Sequence, residues 1–108
     1  MRLTVEFHPL AADEAVEAQA WYSQEQAGLG DRFGEAVDAA VDRASRSPNI
    51  GTPVVATGAG EVVIRRRQVS GFPWAIGYEV VDGSVLLVLA VFHERRTPNY
   101  WIDRAPDR

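Results

Sequence analysis

Trp74-Ala75-Ile76-Gly77-Tyr78-Glu79-Val80, then Asp82-Gly83, then Val85-Leu86-Leu87-Val88-Leu89-Ala90-Val91-Phe92: the reading of this stretch decides the fold. Two runs of strand-forming residues flank an Asp-Gly pair, the signal of a tight β-hairpin turn. The second run is apolar at every position. It is far too short to cross a bilayer, so it reads as a central strand buried on both faces. Upstream, Ser70-Gly71-Phe72-Pro73 is a turn and Glu61 to Val69 is a further strand. Alternation along it sends Arg65 and Arg67 to one face and Arg66 to the other, beside Val62 and Ile64. Asn49 to Gly60 is glycine-rich and reads as a loop with a short strand at Pro53 to Thr57.

The first half of the chain has a different texture. Leu3, Val5 and Phe7 alternate with polar residues, the period of a half-buried strand. Pro9 suits the first turn of a helix, and Asp13, Glu14 and Glu17 favour its positive N-terminal end. That helix runs from Leu10 to about Gln26, with Ala12, Ala15, Val16, Gln19 and Tyr22 on one stripe and Ala20 and Trp21 beside it. Gly28-Leu29-Gly30-Asp31 is a turn in which Asp31 caps a second helix, from about Asp31 to Arg46. Phe33, Val37, Ala40, Val41 and Ala44 give this helix an apolar face, and Pro48 ends it. Two amphipathic helices on a short turn form an antiparallel hairpin that needs a surface to cover. The expected fold is α+β: an N-terminal strand, the helical hairpin, then a three- to four-stranded antiparallel sheet, as one domain over residues 1–108. The hairpin covers one face, and the other is left for the tail and for solvent.

Composition narrows the function. With 46% apolar and 24% charged residues the chain is globular, not disordered. It has no cysteine, which removes disulfides, thiolate zinc sites, iron–sulfur clusters and a cysteine nucleophile. The N-terminus carries alternating charge and no signal-peptide pattern, so a cytoplasmic protein without membrane association is expected. Residues 1–60 hold nine acids and four arginines, a balance of −5; residues 61–108 hold six acids and seven arginines, a balance of +1. All eleven basic residues are arginine, whose planar fork suits phosphate and carboxylate.

Most catalytic signatures are absent. His8 and His93 are not at metal-ligand spacing, so no metal is expected. Gly28-Leu29-Gly30 and Gly58-Ala59-Gly60 lack the residues that complete a phosphate loop, and no serine sits in a nucleophile elbow, so no cofactor is expected. Two arginine clusters remain. Arg65, Arg66 and Arg67 lie on a strand, where they form either a phosphate-sized positive site or a charged strand end that discourages edge pairing. His93-Glu94-Arg95-Arg96 follows the central strand, with Tyr100 and Trp101 close behind. Arginine beside an aromatic can grip phosphate and stack on a base, and histidine can move a proton near neutral pH. In the competing reading, Glu94 pairs with an arginine while Tyr100 and Trp101 pack the tail onto the sheet.

The run from Gly71 to Val80, then Val88-Leu89-Ala90-Val91-Phe92-His93-Glu94-Arg95-Arg96-Thr97-Pro98-Asn99-Tyr100-Trp101, resembles the RelE/ParE superfamily of toxins from type II toxin–antitoxin modules. Gly28-Leu29-Gly30-Asp31-Arg32-Phe33 and Ser47-Pro48 match its pattern too, and the element order is the same over essentially the whole chain. The resemblance implies a small cytoplasmic, growth-inhibiting toxin of the plasmid-stabilisation kind, held inactive by an antitoxin encoded beside it. Two activities are implied. RelE-like members cut messenger RNA on the ribosome without a metal. ParE-like members inhibit DNA gyrase and lack the catalytic set.

Carried onto this chain, the ribonuclease reading assigns catalysis to Arg65, His93, Arg96 and Tyr100. Target or phosphate contact falls to Arg65, Arg67, Arg95, Arg96 and Trp101. Three departures favour the ParE-like branch. The chain lacks the strand lysines of many RelE-like enzymes; Glu94 stands in the basic tail; and the net charge of −4 opposes a ribosome contact that depends on neutralising phosphates. A third reading is a non-toxic partner-binding module. The expected antitoxin groove runs along the outer face of the helical hairpin and the open sheet face. Trp21 and Trp101 are candidate anchors, with core packing the competing reading for both and the stronger one for Trp21.

Overall fold

Asp82 and Gly83 form the expected turn, with φ of 53° and 67°, the two left-handed conformations that a type I′ hairpin requires. Ser84 N–H closes it by donating to Val81 O at 3.2 Å. This turn joins β4 (Trp74–Val81) to β5 (Val85–His93) in a computed structural model that describes residues 2–106. Before them come β1 (Thr4–Phe7), α1 (Pro9–Glu25), α2 (Leu29–Arg46), β2 (Thr52–Ala56) and β3 (Val62–Val69). A 3₁₀ turn at Ile102–Arg104 follows. The sheet has five strands in the order β1-β5-β4-β3-β2, antiparallel except where β1 runs parallel to β5. That parallel pairing encloses the first half of β5 between two strands, and cores on both faces of the sheet explain why its sequence is apolar throughout.

The register along β5 is interrupted once. Gly77 pairs with Ala90 and Tyr78 with Val88, so Leu89 is an extra residue in a β-bulge. The bulge resets which side chains face the helices. Leu86, Val88 and, beyond it, Val91 join Phe33, Val37, Ala40, Val41 and Ala44 in the core under the hairpin. Leu89, Ala90 and Phe92 turn to the opposite face with Ile64 and Ala75.

α1 departs from the expected stripe. Its buried residues are Ala11 and Ala18, with Ala15 and Tyr22 partly buried, whereas Val16 is 67% exposed. The buried set Ala11, Ala15, Ala18 and Tyr22 keeps helical spacing but is turned to one side of the expected stripe; small alanines mark the face only weakly, and packing around Tyr22 selects it. α2 begins two residues before the expected Asp31. Gly28, left-handed, is its N-cap, and Asp31 sits inside the first turn, where it favours the helix dipole without capping.

The second face of the sheet is covered by the tail. Trp101 is fully buried there, its ring stacked on Phe92 at 5.4 Å. It lies so close to β4 that a Cβ on Gly77 would stand 2.6 Å from Cζ3 of the indole. Only glycine admits this contact. Trp101 is therefore a plug of the second core, in line with the reading that packs Tyr100 and Trp101 onto the sheet, and not a surface residue for a target or an antitoxin.

Candidate functional site

β1 ends opposite Val88, so β5 from Leu89 onward has no strand on that side. Its edge groups still need partners. Side chains supply them. Glu14 of α1 accepts from Val91 N–H at 3.1 Å, and Arg104 Nη1 donates to Leu89 O at 3.0 Å. Glu14 also receives Arg104 Nη1 at 2.7 Å and Nη2 at 3.2 Å, and the Tyr100 hydroxyl donates to its Oε2. The Arg96 guanidinium lies over the Tyr100 ring at 4.1 Å and that of Arg104 at 5.4 Å. Glu14, Tyr100 and Arg104 thus clasp the tail to α1 and to the bulged edge. Burial, reinforced by the hydrogen bond to Glu14, pushes the Tyr100 hydroxyl up to about 12. The same carboxylate raises Arg104 above its ordinary value. The Tyr100 hydroxyl is thereby engaged as a donor to Glu14.

Beside the clasp opens a cleft of about 640 Å³, between α1 and the end of the β4–β5 hairpin. Ala18, Trp21 and Tyr22 form one wall; Pro73, Trp74, Val91 and Phe92 form the other; Glu14, Glu17, His93 and Arg96 supply its polar groups. Its floor is braced. Trp74 Nε1 donates to the Tyr22 hydroxyl at 3.0 Å, and Tyr22 packs against Phe33 and Phe72 with centroids 5.0 and 5.1 Å away. His93 stands edge-on to Trp74 at 5.5 Å. Its Nδ1 accepts from Arg95 N–H at 3.1 Å, which leaves Nε2 as the available nitrogen. Trp21 lies at the rim, 55% exposed, where the sequence reading had favoured core packing for it.

The structure therefore brings His93, Arg96 and Tyr100 together but not Arg65. In the cross-strand row that contains His93, β3 contributes Val69, and Arg65 is four residues away along the strand, about 13 Å at strand rise. Arg65 points to the helix side beside Tyr78. Its Nη1 is bound to Gly51 O at 2.8 Å, in a separate cleft of about 280 Å³ with Pro48, Asn49 and Glu61. Arg67 shares that side, with a buried Nη1 that has no hydrogen-bond partner among the described residues. Arg66 lies on the opposite face, over Phe92 at 5.3 Å. Arg95 is exposed. Glu14 and Arg104 escaped the sequence reading: neither sits in a motif, and only the bulge at Leu89 gives them a common task. Among the described residues no cluster of metal-ligating side chains occurs, and no helix is long and apolar enough to cross a membrane.

Comparison with known proteins adds two findings. The family model for the ParE toxin of the type II toxin–antitoxin system parDE matches residues 5–98. Among solved structures, an arginine-to-alanine double mutant of the E. coli toxin RelE in the free state superposes with a TM-score of 0.70. It has 16% identity and covers 98% of this chain and 100% of that one. A chain of the chromosomal ParDE toxin–antitoxin system of P. aeruginosa superposes with a TM-score of 0.65 at 14% identity, covering 85% of this chain and 96% of that one. No curated protein matches.

Proposed function

The chain belongs to the ParE toxin family of type II toxin–antitoxin systems, and from that premise we propose that it arrests growth by binding DNA gyrase, with a cognate antitoxin holding it inactive. One observation carries the choice of target: the residues a ribonuclease would need are apart or already engaged. Cleavage of RNA through its 2′-hydroxyl needs a base, a neutralised phosphate and a proton donor within reach of one bond. Arg65 donates to Gly51 O in a different cleft. Tyr100 is bonded to Glu14 and in contact with the guanidinium groups of Arg96 and Arg104. What is left at the cleft mouth is His93 with Arg96, beside a largely apolar wall. That arrangement suits a protein contact better than a phosphodiester. Arg95 and Arg96, both exposed, are the residues assigned to target contact.

The pairing of His93 with Arg96 on one cleft is also what favours the second reading, a metal-independent messenger-RNA endonuclease acting on the ribosome. Two assays on the purified chain separate them. Inhibition of gyrase supercoiling is expected. No new 5′ ends are expected on translating messages in an extract. New ends inside codons, lost in Arg96→Ala, would overturn the gyrase assignment. A chain that arrests no growth in cells would leave only a partner-binding module.

A further inference from the structure

We infer that Arg65 and Arg67, on the helix side of β3, hold a small oxyanion beside the Tyr78 hydroxyl: phosphate, free or as the end group of a small ester. The site lies apart from the cleft of His93 and Arg96 and does not depend on the choice of target. Its first support is Arg67. The Nη1 of this side chain is buried and has no acceptor, and neither arginine has an ion-pair partner among the described residues. A buried charged donor left unpaired carries the full cost of its desolvation. In a native fold such a group calls for an explanation, and an ion at the site is one. The second support is the pair. Arg65 and Arg67 stand on the same side of β3, two residues apart, about 7 Å at strand rise. Burial pushes the Tyr78 hydroxyl up, and the charges of both arginines act on it in the opposite sense. Two guanidinium groups thus converge on one hydroxyl with no carboxylate between them, and each presents a fork that matches a tetrahedral oxyanion.

The surroundings are fixed before any ligand arrives. Tyr78 donates to Pro48 O at 2.8 Å, and Arg65 Nη1 donates to Gly51 O at 2.8 Å. Gly51 sits so close that a Cβ there would collide with the Tyr78 hydroxyl. The loop after α2, the phenol and Arg65 therefore form one braced wall, which keeps the ordering cost of binding low. Arg65 still has free donors, since a guanidinium carries five and this bond uses one. Size and charge select the occupant. The cleft beside Arg65 holds about 280 Å³, at the lower limit for small-molecule sites. Glu61, exposed and four residues before Arg65, lines its far side. That carboxylate repels an extended polyanion and leaves room for one anionic group at the arginine end. An anion bridging Arg65 and Arg67 would also tie the loop after α2 more firmly to β3.

The test is a calorimetric titration of the purified chain with inorganic phosphate, and separately with adenosine 5′-monophosphate, in chloride buffer at constant ionic strength. Saturable binding at one site is expected. Tighter binding of phosphate identifies the free ion as the ligand, and tighter binding of the nucleotide identifies an ester. Arg67→Met is expected to weaken the better ligand about 10-fold or more, the effect of losing a charge-assisted hydrogen bond. Arg32→Met removes an exposed arginine outside the site and is expected to bind as wild type. Urea unfolding gives a crossing. Without ligand, Arg67→Met should unfold at or above the wild-type midpoint, because it removes an unpaired buried donor. With ligand, the wild-type midpoint should rise and the variant's should not. Amide resonances give a readout on the wild-type chain alone: ligand should shift Gly51, Arg65 and Arg67 and leave Glu94 to Arg96 in place. No saturable binding of either ligand overturns the site. Equal losses in Arg67→Met and Arg32→Met, a variant destabilised alike with and without ligand, or shifts confined to Glu94 to Arg96 do the same.

Discussion

On one face of the sheet the helical hairpin lays Phe33, Val37, Ala40, Val41 and Ala44 against Ile76, Leu86, Val88 and Val91. On the other, the tail lays one indole, Trp101, on Gly77 and Phe92, and fastens it at the side with Glu14, Tyr100 and Arg104. The first face spreads its burial over many modest side chains on two regular helices. The second concentrates it in one large ring and one polar clasp. A distributed core loses a fraction of its energy when one side chain is cut back. A concentrated one loses the whole cover.

The largest expected effect follows directly. Trp101→Ala should cost about 3–5 kcal/mol of stability in urea, while Val37→Ala on the helix face should cost about 1–2 kcal/mol. Amide exchange separates the mechanisms. Trp101→Ala should deprotect Ile102 N–H, Arg104 N–H and Ala105 N–H, which bond within the tail turn, and leave α2 protected. Equal costs, or deprotection spread evenly over both faces, would erase the contrast.

The clasp comes next. Glu14 and Arg104 side chains are each 13% exposed, so removing one strands a largely buried charge. Glu14→Ala should cost about 2–3 kcal/mol, less than for a fully buried pair, and should speed exchange at Val91 N–H. The clasp also has a pH signature. Tyr100 ionises near 12 in the folded chain, against 10.0 for an unperturbed tyrosine. Between those values the native state holds a proton the unfolded chain has lost, so stability falls as pH rises through that window and is fully present below it. Tyr78, also raised by burial, adds a fall of the same sign. Tyr100→Phe should therefore shrink the alkaline loss without abolishing it. An unchanged slope above pH 10 would remove the clasp from the tail's attachment.

The same contrast explains what could be read in advance. The helix-covered face was legible because α2 spaces Phe33, Val37, Val41 and Ala44 at helical period and because Asp82-Gly83 admits only a tight hairpin. The tail-covered face was legible only in outline: the reading that Tyr100 and Trp101 pack the tail onto the sheet holds, but the residues that receive them were not visible. The contact of Trp101 with Gly77 pairs residues 24 apart with no shared period, and Gly77 looked like one more weak strand position. α1 misled for a related reason: its alanines are too small to mark one face strongly, and its decisive side chains, Glu14 and Tyr22, are polar or amphipathic. The site split along the same line. His93 and Arg96 were placed by the end of β5, a feature visible in the apolar run, whereas the separation of Arg65 depended on a register that composition does not encode.

The smallest expected effect on stability belongs to Trp21, and it is the most telling for function. Trp21 belongs to neither cover: it stands at the rim of the cleft between them, 55% exposed, with one edge-on ring contact to Tyr22 at 5.0 Å. Trp21→Ala should change the urea midpoint by no more than about 0.5 kcal/mol, the range of surface substitutions that break no cap, pair or core contact. Such a residue gains little for the folded chain, and a large exposed indole raises the hazard of aggregation. A cost near that of Trp101→Ala would make Trp21 a third structural plug and take away its role as an anchor. A near-zero cost would separate the two tryptophans cleanly, one holding the tail to the sheet and the other contributing little to the fold.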